Sequence, residues 1–199
     1  MTSGGTGRQE SMRIIVSEFI SLDGVVQAPG GAEGGTDGGF RHGGWSVPYF
    51  DVDVMGAAID EMSQATDGLL YGRRTYVVMA GAWPDRAGDP FADWMNSTPK
   101  YVVSDTLSDD DITWQPTTII RRADMVKEIS RLRDQPGRYL NVWGSPTLIR
   151  ALFEADRVPG NIEVDEKPTE LQVDPLARRL RRDQQLARLF EFALGVVAG

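Results

Sequence analysis

Two short segments of this sequence carry the residue types that hold a phosphate. They are LLYGRRTY, from Leu69 to Tyr76, and VWGSPTL, from Val142 to Leu148. In each, an apolar β-type run ends in a glycine and a helix-forming run follows at once. Glycine lets a ligand approach the backbone, and a helix N-terminus offers N–H groups without intrahelical partners and a partial positive charge. In open α/β sheets ligands collect at the carboxyl ends of the strands, so two such ends suit the two parts of a dinucleotide. The competing reading is structural: every α/β protein needs tight turns at these places, and glycine with serine or threonine is common in them. No GxGxxG run is present, so the ordinary dinucleotide fingerprint is not the basis of this reading.

Other chemistries are narrowed by composition. The 199 residues include no cysteine and one histidine, His42. Thiol catalysis, disulfides and a Cys/His zinc site are therefore excluded, and no metal is expected. A zinc-dependent nucleobase deaminase is excluded by the same count. His42 stands beside Arg41 in a glycine-rich stretch, where a lone histidine is usually solvated; a contact to a substrate phosphate is the alternative. Trp45, Trp83 and Trp94 read as core and lid-packing residues, and the acidic run at 109–111 as a solvated turn. The formal net charge of −8 opposes a nucleic-acid partner. No apolar run approaches the roughly 20 residues of a membrane span. Residues 1–11 lack an apolar core and read as a disordered tail, so a cytoplasmic location is expected.

The elements that must position these residues follow from periodicity. Strands are expected at Met12 to Ile20, Asp67 to Tyr71, Lys100 to Ser104, Thr117 to Arg121 and Tyr139 to Trp143. Helical spacing links Val54, Met55, Ala58, Ile59 and Met62 into one face, and Met125, Ile129 and Leu132 into another with Asp124 as cap. Helices are also expected from GRRTY to Trp83, around Pro90 to Asn96 and from Pro146 onward. Gln27 to Trp45 holds eight glycines between Gly30 and Gly44 and reads as a mobile loop. Strands alternating with helices give an α/β fold with a mostly parallel sheet.

The ordered set MRIIVSEFISLDGVVQAPGG, LLYGRRTY, WP, PFADWMNSTPKYVVS and VWGSPTLIRALFEA resembles the dihydrofolate reductase family, in particular the C-terminal reductase domain of the riboflavin-pathway deaminase-reductases, over about residues 12–156. The resemblance implies a three-layer sandwich and hydride transfer from NADPH, with NADH as the alternative, to a small pyrimidine- or pterin-like molecule. It also implies a homodimer. Ser21, Leu22, Asp23, Gly24 and Val26 look like the loop that closes over the nicotinamide. Gly72, Arg73 and Thr75 look like pyrophosphate and adenosine-phosphate contacts, Ser104 like the ribose boundary, and Gly144, Ser145, Thr147 and Leu148 like the second diphosphate turn. Asp51 and Asp23 are the candidate proton donors, each with turn or cap formation as the alternative.

Three departures from that pattern bear on function. Asp105 follows YVVS where many relatives carry a basic residue that suits a 2′-phosphate. Pro146 removes a backbone donor from the second turn. After Asp156 the strand-rich pattern of the relatives gives way to an acidic, proline-punctuated stretch and an Arg-rich run. In that run Leu176, Leu180, Ala187, Phe190 and Leu194 are expected on one side of an amphipathic helix. The change reads as a frameshifted or rearranged end that removes the closing strands. Either a docked tail fills the same space, or the chain holds a dinucleotide or flavin without turnover.

Overall fold

A computed structural model of the chain describes residues 11–31, 37–156, 163–164 and 190–198. Its centre is a sheet of five parallel strands: β1 (Arg13–Ser21), β2 (Thr66–Gly72), β3 (Lys100–Val103), β4 (Thr117–Ile120) and β5 (Tyr139–Trp143). Two further strands, β6 (Glu163–Val164) and β7 (Phe190–Ala198), extend it antiparallel to give the order β4-β3-β2-β5-β1-β7-β6. Helices α1 (Val52–Ala65), α2 (Arg73–Ala82), α3 (Pro90–Ser97), α4 (Met125–Arg133) and α5 (Pro146–Asp156) connect the strands. The architecture is the dihydrofolate-reductase-like α/β sandwich. Among the described residues no helix is long and apolar enough to cross a membrane.

The central strands are apolar on both sides because helices cover both faces. Leu69, Leu70, Val102, Leu140 and Val142 have no exposed surface, and burial of each side chain stabilises the fold by roughly 1.5–3 kcal/mol. One face packs Ile14, Leu70, Leu140 and Val142 against Met125, Ile129, Leu132 and Leu148 of α4 and α5. The other packs Leu69, Tyr71 and Val102 against Met62, Tyr76 and Met95 of α1, α2 and α3. Alternation along β1 sends Ile14 and Val16 to the first face and Phe19 to the second.

Local chemistry sets the helix ends. Asp89 caps α3 by accepting from Phe91 N at 2.9 Å and Ala92 N at 3.0 Å. Lys100 closes the other end of α3: its Nζ donates to the carbonyls of Met95, Asn96 and Thr98 at 2.9, 3.1 and 2.8 Å and sits 4.3 Å from the Trp114 ring centroid. Asp124 occupies the N-cap position of α4 without a side-chain capping bond; a short 3₁₀ turn at Arg122–Asp124 leads into that helix instead. Val54 is exposed, so the buried face of α1 narrows to Met62, with Ile59 packed against the core.

The C-terminal expectation needs correction. Phe190 and Leu194 belong to strand β7, which pairs with β1 from Ile14↔Val197 to Ser21↔Phe190, and not to a helix. FEFALGVVA is rich in aromatic and β-branched residues, and β1 would otherwise present an unpaired edge to water. The closing strands are therefore present, and Leu176, Leu180 and Ala187 lie outside the described residues. Residues 1–10 also lie outside them, while Ser11 bridges to Pro136. The glycine-rich stretch has a tied neck. Gly44 N donates to Ala28 O at 2.8 Å, Ser46 N and Oγ donate to Pro29 O, and Trp45 Nε1 donates to Gln27 O at 2.8 Å.

Candidate functional site

The parallel register puts most of the candidate residues on one edge of the sheet. Gly72 lies opposite Val103 and Ser17 opposite Trp143, so Gly72, Ser104 and Gly144 all stand at carboxyl ends. Strand β1 runs on past that point to the Ser21 turn. Because α1 returns to the start of β2 over 14 residues, its first residue also lies towards the carboxyl edge.

The two glycine junctions touch. β2 and β5 are neighbours, and Gly72 N donates to Ser145 Oγ at 2.9 Å. A Cβ on Gly72 would stand 3.6 Å from Ser145 Cβ and 3.7 Å from Leu148 Cβ; one on Gly144 would stand 3.2 Å from Thr75 Cγ2. Gly144 has φ +60°, and Ser145 continues the left-handed turn at φ +68°. That conformation costs a serine about 1–2 kcal/mol. The Ser145 hydroxyl bond to β2 offsets part of this. Helix α2 starts without a side-chain cap and without an acidic residue in its first turn, where Arg73 and Arg74 stand instead. α5 also lacks an acidic first turn, and Pro146 is its first residue. Both helix starts therefore favour an anion. Thr147 is exposed at the edge, whereas Leu148 is buried and anchors α5.

The SLDG segment is an ordered turn. Ser21 N donates to Val25 O at 3.0 Å, Gly24 N to Ser21 O at 2.8 Å and Val25 N to Ser21 Oγ at 2.9 Å. The Ser21 hydroxyl donates to the Asp23 carboxylate, and Gly24 takes φ +83°. Leu22 is exposed at the tip. Asp51 is exposed and caps α1, accepting from Asp53 N at 3.0 Å and Val54 N at 3.1 Å. Both candidate proton donors thus hold structural hydrogen bonds. Arg41 and His42 are exposed, and the His42 ring meets Phe40 edge-on at 5.7 Å.

Ser104 is buried, and its hydroxyl accepts from Thr106 N at 3.1 Å and Leu107 N at 3.0 Å. Asp105 accepts from Arg122 N at 2.8 Å, and its second oxygen lies 3.6 Å from Arg122 Nε. The carboxylate after β3 therefore brings its own counter-charge, which the sequence comparison at that position did not anticipate.

Sequence reasoning missed Glu18. It points from β1 towards α5, and its Oε2 is fully buried without a hydrogen-bond partner among the described residues. It lines a cavity of about 490 Å³ bounded by Val16, Val26, Pro146, Ile149 and Phe153. Burial pushes its carboxyl up to about 8, because a charge there would lose hydration without compensation. The available signal was a single charged residue inside the otherwise apolar strand run of MRIIVSEFI.

The comparison with known families agrees with this geometry. The family described as the RibD C-terminal domain matches residues 12–159, which spans every junction above. No curated protein matches the chain. With its two glycine junctions at the carboxyl edge of a dihydrofolate-reductase-like sheet, the chain belongs to the RibD C-terminal domain family, a reductase-type family related to riboflavin biosynthesis.

Proposed function

We propose that this protein is an NADPH-dependent reductase of a small heterocycle, pyrimidine- or pterin-like, with NADH as the weaker alternative. The observation that carries the reading is the contact between the junctions: Gly72 N on Ser145 Oγ at 2.9 Å, with Thr75 against Gly144. That contact puts two helix starts side by side on glycine backbone. A diphosphate has the charge and compactness for such a place. Gly72 and Gly144 would let it reach the main chain, and Arg73 and Arg74 would supply positive charge.

Nicotinamide, when bound, supplies a hydride. The chain's own part is to bind, orient and exclude water. The Ser21–Val26 turn lies past the end of β1, beside the start of α5, where it can cover a ring. Arg73 and Arg74 would support a 2′-phosphate, and Arg122, 3.6 Å from the Asp105 carboxylate, offsets part of the charge that would oppose it.

A second reading, a dinucleotide- or flavin-binding protein without turnover, is favoured by one observation: the Asp51 and Asp23 carboxylates are both engaged in holding local structure. Absorbance at ~340 nm separates the two readings. Purified protein with NADPH and a panel of pyrimidine and pterin acceptors should oxidise NADPH if it is a reductase. Saturable NADPH binding with no oxidation across the panel would favour the second reading, and absence of binding would reject both nicotinamide forms.

A further inference from the structure

We propose that Glu18 recognises the amide edge, a C=O beside an N–H, of a ring bound in the cavity between β1 and the first turns of α5. The inference rests on the reductase reading for the identity of the ring, and it deepens that reading by naming the residue that reads it.

The lining of this open cavity suits such a ring. Val16, Val26, Pro146, Ile149 and Phe153 give it aliphatic and aromatic walls. Glu18 Oε2 is the buried polar atom in it that lacks a partner among the described residues. An unpaired buried polar atom is costly, so its presence calls for a partner that the described residues do not provide. Val26 and Pro146 adjoin the SLDG turn and the Gly144–Leu148 junction, which places the cavity next to the proposed cofactor site.

The kind of partner follows from the charges around Glu18. Arg150 and Glu154, one turn apart on α5, line the same cavity, and no ion pair joins Arg150 to Glu18 among the described residues. Burial therefore dominates, and the carboxyl stays protonated near neutral pH. A protonated carboxyl presents one donor and one acceptor side by side. The complementary edge is an amide, whose carbonyl accepts and whose N–H donates. Glu154 would oppose an anion and Arg150 a cation at the same wall, which leaves a neutral edge as the fitting partner. Two molecules carry this edge: the carboxamide of nicotinamide and the lactam edge of a pyrimidine or pterin.

Calorimetry on the full chain tests the assignment with three probes: NADPH, adenosine 2′,5′-bisphosphate, which lacks the nicotinamide, and pterin. Wild type, Glu18→Gln and Glu18→Leu are compared at about pH 6.5 and about pH 9.5. Glu18→Leu should weaken the amide-bearing ligand ~10-fold or more and leave the bisphosphate unchanged. Loss for NADPH alone identifies the carboxamide as the edge, and loss for pterin alone identifies the lactam. For NADPH, whose carboxamide does not titrate over this range, wild-type affinity should fall at the higher pH, whereas Glu18→Gln, which keeps a donor and an acceptor at both pH values, should not follow. If neither NADPH nor the bisphosphate binds wild type while pterin binding still depends on Glu18, the cofactor reading fails and this one stands. If Glu18→Leu melts normally and binds NADPH and pterin within about twofold of wild type, or if wild type binds neither, the assignment is overturned.

Discussion

Replacing Ser145 separates two effects that meet in one residue. Its hydroxyl accepts from Gly72 N at 2.9 Å, and its backbone sits at φ +68°. Ser145→Ala keeps the left-handed backbone and leaves the Gly72 N–H without that acceptor, which should cost about 1–3 kcal/mol. Ser145→Gly loses the same bond but removes the left-handed penalty of about 1–2 kcal/mol. Against that gain stands the roughly 0.5–1 kcal/mol lost to glycine's freer unfolded chain. The glycine variant should therefore exceed the alanine variant in stability by up to about 1.5 kcal/mol, and the alanine variant should be less stable than wild type. In a chain of this size a difference of 1 kcal/mol moves Tm by roughly 2–4 °C. Urea denaturation followed by far-UV circular dichroism, with melting curves as a check, reads the order directly. An alanine variant as stable as wild type would mean that the junctions are not joined through this hydroxyl. A glycine variant below the alanine one would mean that residue 145 is not in the left-handed region.

Three further outcomes follow. Glu18 has a folded carboxyl raised from 4.5 to about 8, so between those values the unfolded chain binds fewer protons and stability falls as pH rises. The slope is at most about 1.4 kcal/mol per pH unit, it should vanish in Glu18→Gln, and denaturation midpoints at several pH values would reveal it; parallel wild-type and variant curves would reject it. Arg122→Ala should expose the Asp105 charge and weaken NADPH several-fold more than NADH, since only the 2′-phosphate differs; equal weakening in fluorescence titrations would place that phosphate elsewhere. Ending the chain before Phe190 removes β7 and leaves eight residues of β1 unpaired, which should lower Tm and promote aggregation in size-exclusion runs; an unchanged Tm and elution volume would show that β7 does not guard that edge.

The legible and illegible parts of the chain differ for physical reasons. The strands observed at Thr66–Gly72, Lys100–Val103 and Tyr139–Trp143 could be read because sheets covered on both faces demand continuous apolar runs, and the glycines at 72 and 144 mark where such runs must turn. Contact between those two turns could not be read, because it depends on β2 and β5 lying side by side although they are far apart in sequence. The C-terminal strand was misread for a related reason. In isolation RRLRRDQQLARLFEFALGVVAG carries a helical charge pattern, and only the open edge of β1 favours the extended form of Phe190–Ala198. Asp51 and Asp23 illustrate the converse: a carboxylate near the right place in the sequence turns out to cap α1 or close a turn, while Glu18, inside a strand, faces the cavity.

The central claim is that the joined turns at Gly72–Thr75 and Gly144–Leu148 hold the diphosphate of a nicotinamide dinucleotide. The most direct measurement is a thermal melt of the whole protein against NADPH, alongside Gly144→Val, whose side chain would enter the space 3.2 Å from Thr75 Cγ2 where the turns meet. Wild type should gain roughly 2.7 kcal/mol of stability at ~100 times the dissociation constant, and the folded variant should gain little. A wild-type melting temperature that does not move with NADPH or NADH, or an equal shift in the variant, would contradict the account.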